Sequence, residues 1–88
     1  MPVLAVINGI KVTINFCDHS PPHFHAEYNG RRALVEIKSA RVVEGSLPPK
    51  QAKLIIGFCV LHEDELLKNW DLAKKGEKLV PIKGFENV

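Results

Sequence analysis

Cysteine is scarce in this chain. Cys17 and Cys59 are far apart and form no CxxC pair. That excludes a disulfide framework, and Cys59, inside an apolar helical run, reads as a small buried hydrophobe. Long hydrophobic runs are missing too. Nothing approaches the ~20 apolar residues that span a bilayer. No basic segment followed by an apolar stretch opens the chain, so neither a membrane span nor a signal peptide is expected, and the expected location is cytoplasmic. Repeats and low-complexity segments are absent. Net charge is only +2 with neutral histidines, a bias that permits nucleic-acid contact without arguing for it.

What is present suits one globular domain spanning residues 1–88. Apolar residues make up 45% of the chain and charged residues 25%, a balance that excludes disorder for the body. A domain of this size buries roughly 60–65% of its unfolded surface, enough for one modest core.

The first half has the period of strands. Residues 3–7 are β-branched and lead into Asn8-Gly9, a strong hairpin signal. Ile10, Val12, Ile14 and Phe16 then alternate with Lys11, Thr13 and Asn15. Residues 17–22 read as a loop, because Pro21-Pro22 cannot sit inside a central strand. Residues 23–28 form a third strand and Asn29-Gly30 a second hairpin turn. A fourth strand over 32–38 points Ala33, Val35 and Ile37 inward, and 41–44 add a short fifth strand or edge extension before Gly45.

The second half has the period of a helix. Leu47-Pro48-Pro49 places proline in the first turn. Ala52, Ile55, Ile56, Cys59, Val60, Leu66, Leu67, Trp70 and Ala73 recur at three- and four-residue intervals. Glu63-Asp64-Glu65 interrupts this stripe, so a kink or two abutting helices fit there, and Gly76 suits the stop. The expected architecture is a two-layer α+β domain: an antiparallel sheet of four to five strands (1–46), one long C-terminal helix packed on one face (47–76), and a tail (77–88) whose Leu79, Val80 and Ile82 are available to dock. Trp70 is expected in the core, His62 at a boundary, and Asn69 in solvent or capping a neighbouring backbone.

The chemistry concentrates between Asp18 and Tyr28. Three of the four histidines, His19, His23 and His25, lie there beside Asp18 and Glu27. On a strand, His23, His25 and Glu27 share one face and Phe24, Ala26 and Tyr28 the other. Three chemistries compete. One is a metal site: His-x-His places two imidazoles together, and Zn²⁺ would need His19, Asp18 or Glu27 to complete its shell. Another is acid–base work on a phosphodiester, with His23 and His25 dividing the roles, Glu27 beside them, and Lys11, Arg31 and Arg32 gripping phosphate. The third is structural, with Asp18 making an Asx turn in a proline-stiffened loop. Solvated outward residues are the simpler reading for Lys11, Thr13, Glu36 and Lys38.

Asn8-Gly9-Ile10, the run Asp18-His19-Ser20-Pro21-Pro22-His23-Phe24-His25-Ala26-Glu27-Tyr28, Gly45-Ser46-Leu47-Pro48, and Leu61-His62-Glu63-Asp64-Glu65-Leu66 leading to Asn69-Trp70 resemble a family of small bacterial proteins catalogued as domain of unknown function 4160. The resemblance covers nearly the whole chain. Asn15 and Cys17 stand where the family pattern carries an aromatic and a polar residue. What the resemblance implies is a component of a toxin–antitoxin pair, here expected on the toxin side. Such a component would act on RNA or the translation machinery, or, as a non-catalytic module, pair with a cognate small antitoxin-like protein.

Overall fold

The computed structural model describes residues 3–15 and 21–82. Five strands, β1 (Val3–Ile7), β2 (Ile10–Thr13), β3 (His23–Tyr28), β4 (Arg31–Glu36) and β5 (Arg41–Gly45), precede two helices, α1 (Pro49–Leu61) and α2 (Glu63–Lys74). The sheet is a fully antiparallel meander in the order β1-β2-β3-β4-β5. β3, which carries His23 and His25, is its central strand.

Turn chemistry produces this order. Asn8 and Gly9 both have positive φ (47° and 85°), as do Asn29 and Gly30 (49° and 79°). Two consecutive residues of that kind make the type I′ turn, whose twist matches that of the flanking strands. At the far edge, the register slips between Leu34 and Val35 on β4. Gly45 closes β5 at φ 73°, so near β4 that a Cβ there would stand 2.1 Å from the Arg32 carbonyl oxygen. Ser46 N–H then donates to that same oxygen at 3.1 Å.

Alternation along the strands builds the core. Ile7, Ile10, Val12, Ile14, Phe24, Ala26, Ala33, Val35 and Ile37 are all buried. Phe58 of α1 meets Phe24 edge-on at 6.3 Å, and the Cys59 thiol donates to the Ile37 carbonyl at 3.5 Å. Leu66, Trp70 and Ala73 of α2 join the same cluster, as do Leu79 and Ile82 of the tail. The second layer is therefore helical, as the sequence period predicts.

Of the kink and the two abutting helices that the acidic triplet allows, two helices are found, and the division falls at His62 (φ −116°, ψ 27°). The three acidic residues that interrupt the apolar stripe follow this point, and acidic side chains are stabilising in the first turn of a helix. The His62 ring tilts against Phe58 at 4.9 Å and its Nδ1 bonds the Glu65 carboxylate, holding the corner. The expected second strand also extended to Phe16; β2 ends at Thr13, and Phe16 lies outside the described residues.

The tail docks through Asn69, which is 2% exposed. Its Nδ2 donates to the carbonyls of Glu65 (2.9 Å) and Val80 (3.0 Å), and its Oδ1 accepts from the Val80 N–H (2.7 Å). This amide caps a neighbouring backbone, one of the two roles expected for it. Val80 keeps its side chain in solvent while its backbone is clamped, and Ile82 N–H reaches the Leu4 carbonyl of β1 at 2.9 Å.

Candidate functional site: the open face of the sheet

Cross-strand register lays out the uncovered face in rows. Lys11, Glu27 and Arg32 form one row across β2, β3 and β4. Thr13, His25, Leu34 and Glu44 form the next, reaching β5. His23, Glu36 and Arg41 form the third. His23, His25 and Glu27 therefore share one face, as their spacing predicts, while Phe24 and Ala26 are fully buried on the other.

The two imidazoles touch. Their centroids are 5.6 Å apart with the rings at 68°, an edge-to-face contact. His23 is half-buried, and its ring also stands 5.0 Å from the indole of Trp70. Its Nδ1 donates to the Pro21 carbonyl at 2.8 Å, which places the ring proton of that bond on Nδ1. For His25, the Asn15 amide donates to Nε2 at 3.2 Å. Asn15 thus orients His25 by hydrogen bonding. Both histidines are held by neighbours on more than one side, which limits the rotamer entropy lost when a ligand binds.

The charged row carries two cations and one carboxylate. Glu27 lies between Lys11 and Arg32 in register, and Arg32 Nε is 3.8 Å from a Glu27 carboxylate oxygen. Arg32 is 81% exposed in this pair, so the contact is loose and contributes little to stability. Arg31 is not part of this face. It pairs with Tyr28, and strand alternation puts it on the side that carries Ala33 and Val35. Of the three cations expected to grip phosphate, the fold brings Lys11 and Arg32 together and sets Arg31 apart.

Asp18 and His19, named as metal candidates, lie outside the described residues. Among the described residues no group of three or more His, Cys, Asp or Glu side chains is placed to hold a metal ion.

Two neighbours of the histidines are not in the expected site. Trp70 is in the core, as expected, and its indole also touches His23. Glu44 becomes a neighbour of Leu34 and His25 only when β5 is added to the sheet. Strand alternation from Arg41 would put Glu44 on the other side, and the register shift beside Leu34 brings it onto this face; no local signal announces the Trp70 contact. A shallow cleft lies on this face, lined by His25, Arg32, Ala33, Leu34, Glu44 and Gly45.

The family model described as Domain of unknown function (DUF4160) matches residues 9–71, which contain β2 through most of α2 and every residue of the open face named above. No curated protein and no solved structure matches the chain. No helix among the described residues is long and apolar enough to cross a membrane.

Proposed function

From the premise that the chain belongs to the DUF4160 family, we propose that it is a toxin–antitoxin-type component, on the toxin side, that engages single-stranded RNA through the open face of its sheet. The observation that carries this reading is the position of His25. It sits mid-strand on the central strand, between Thr13 and Leu34, with the Lys11–Glu27–Arg32 row beside it. Single-stranded nucleic acid is bound by flat side chains that stack on bases, flanked by cations that track the phosphates. A sheet face with an oriented imidazole, an apolar neighbour and two cations supplies both parts.

The contact between the rings distributes the roles. Edge-to-face rings at 5.6 Å leave no room between them for a phosphoryl group. A base and an acid acting on the 2′-hydroxyl and the 5′-oxygen of a phosphodiester must stand on opposite sides of phosphorus. His25 is therefore the group that meets RNA, and His23, packed on Trp70, is the positioning residue behind it. Binding to RNA or to the ribosome's exposed RNA, rather than cleavage, is the activity this arrangement supports.

The test is a fluorescence-anisotropy titration of a labelled single-stranded RNA, with cleavage scored in the same samples on a denaturing gel. Stacking on one base contributes about 1–3 kcal/mol, so His25→Ala should weaken binding by about 5- to 150-fold. No binding by the wild type at low salt, or equal binding by His25→Ala, would remove the reading.

A second reading, a non-catalytic module for a cognate small protein, is favoured by one observation. Val3 and Val6 of β1 are 45% and 47% exposed and pair in register with Thr13 and Lys11, which puts them on the same open face. A partner seated on these valines would cover the RNA surface. Co-purification of a small protein that is lost in a Val3→Ser/Val6→Ser variant, with no RNA binding by the free chain, would favour it.

A further inference from the structure

We propose that the cleft across β3, β4 and β5 is a base-reading subsite that takes guanine; this deepens the RNA reading above and rests on it. The cleft has a volume of about 250 Å³ and is lined by His25, Arg32, Ala33, Leu34, Glu44 and Gly45. That is below the usual size of a site for a whole drug-sized ligand and suits one planar ring system.

Three of the lining side chains form a single row. His25 pairs with Leu34, and Leu34 pairs with Glu44. Adjacent strands are ~4.8 Å apart, so a base lying on Leu34 has His25 at one edge and Glu44 at the other, each one strand away. Leu34 is half-buried and gives an apolar floor. Gly45 lines the end of the cleft, where a Cβ would run into the Arg32 carbonyl.

The donor and acceptor pattern selects the base. Glu44 is exposed, and its carboxylate is an acceptor on both oxygens. Guanine alone presents two adjacent donors on its Watson–Crick edge, N1–H and the N2 amino group, which match a carboxylate in parallel. Its O6 is an acceptor for the Arg32 guanidinium. Adenine and cytosine each set a ring-nitrogen acceptor against the carboxylate, and uracil offers one N–H between two carbonyls. A site built to pair polar groups rejects a ligand that leaves them unpaired. Single-stranded RNA exposes the Watson–Crick edge for this kind of reading.

The test uses labelled RNA hexamers of uridine in which one central position is G, A, C or U, titrated by anisotropy at fixed ionic strength. Wild type, Glu44→Gln and Leu34→Ala are compared, with circular dichroism as the check on fold. The wild type should prefer the G hexamer over the A hexamer by about 10-fold or more. Glu44→Gln should collapse that ratio, with the loss of affinity falling on the G hexamer. Leu34→Ala should weaken the G hexamer most. Equal binding of all four hexamers by the wild type, or an unchanged G-to-A ratio in Glu44→Gln, overturns the guanine subsite and leaves the RNA-binding face standing. Absence of binding to every hexamer overturns both.

Discussion

The imidazole of His23 stands 5.0 Å from the indole of Trp70, and the same ring meets His25 edge-on at 5.6 Å. This contact joins the start of the central strand to the second helix. Trp70 is 3% exposed and belongs to the core cluster, so the open face is supported from beneath at this end. An aromatic pair of this kind contributes about 0.5–1.5 kcal/mol beyond the area it buries.

His23→Ala is therefore expected to lower unfolding stability by about 1–2 kcal/mol, and to shift the emission of Trp70, the chain's one tryptophan. His25→Ala should leave that emission near the wild-type value. Urea melts followed by fluorescence test both statements. Equal effects of the two substitutions on stability and emission would contradict the division of roles between the histidines.

Gly45 and Gly30 make a matched pair. Both have positive φ, but a Cβ at Gly45 would meet the Arg32 carbonyl at 2.1 Å, whereas nothing lies within 4 Å of one at Gly30. Gly30→Ala should cost about 1 kcal/mol, the left-handed backbone penalty alone. Gly45→Ala should cost about 3 kcal/mol or more, since β4 and β5 must separate to admit it. Similar losses in the two variants would show that the close approach of β5 to β4 is not what the glycine serves.

Ala40 gives a prediction of the opposite sign. It adopts φ 54° while its N–H bonds the Glu36 carbonyl at 2.9 Å. A left-handed alanine costs about 1–2 kcal/mol, and glycine adds about 0.4–1 kcal/mol of unfolded-state entropy. Ala40→Gly should stabilise the protein by roughly 0.5–1 kcal/mol on balance. A lower denaturation midpoint for the variant would contradict this.

Burial pushes the Cys59 thiol up to about 11, with Glu63 adding to the shift. The folded state thus holds this proton more tightly than the unfolded chain does. Its contribution is complete below about pH 9 and is lost as pH rises through the folded value. A shift of this size is linked to about 2–3 kcal/mol at most. In a Cys17→Ser background, the fall in stability between pH 9 and pH 11 should be smaller for Cys59→Ala than for the chain that retains Cys59. Identical pH profiles would show that the thiol does not titrate across this window.

Much of the sheet was legible because its signals are local. Asn8-Gly9 and Asn29-Gly30 specify turns by the backbone angles those residues tolerate, and the alternation from Ile10 to Ile14 and from Ala33 to Ile37 names the buried face. The helical break at His62 was legible only in part, because the acidic triplet that interrupts the apolar stripe fits a kink as well as two helices. The placement of Arg31 follows from register: the Asn29-Gly30 turn pairs it with Tyr28 and turns it away from Arg32. The contact between His23 and Trp70 depends on how α2 lies against the sheet, which no spacing encodes. Glu44 enters the site through a strand whose register shifts beside Leu34, a feature of the paired sheet rather than of either segment alone.

The most direct measurement of the RNA-binding face is a backbone amide NMR titration of the ¹⁵N-labelled chain with a single-stranded RNA hexamer. Perturbations concentrated on Lys11, Thr13, His25, Arg32, Leu34 and Glu44, with the solvent side of α1 and α2 unmoved, are the predicted result. Perturbations confined to the helices, or none at RNA concentrations well above that of the protein, would contradict it.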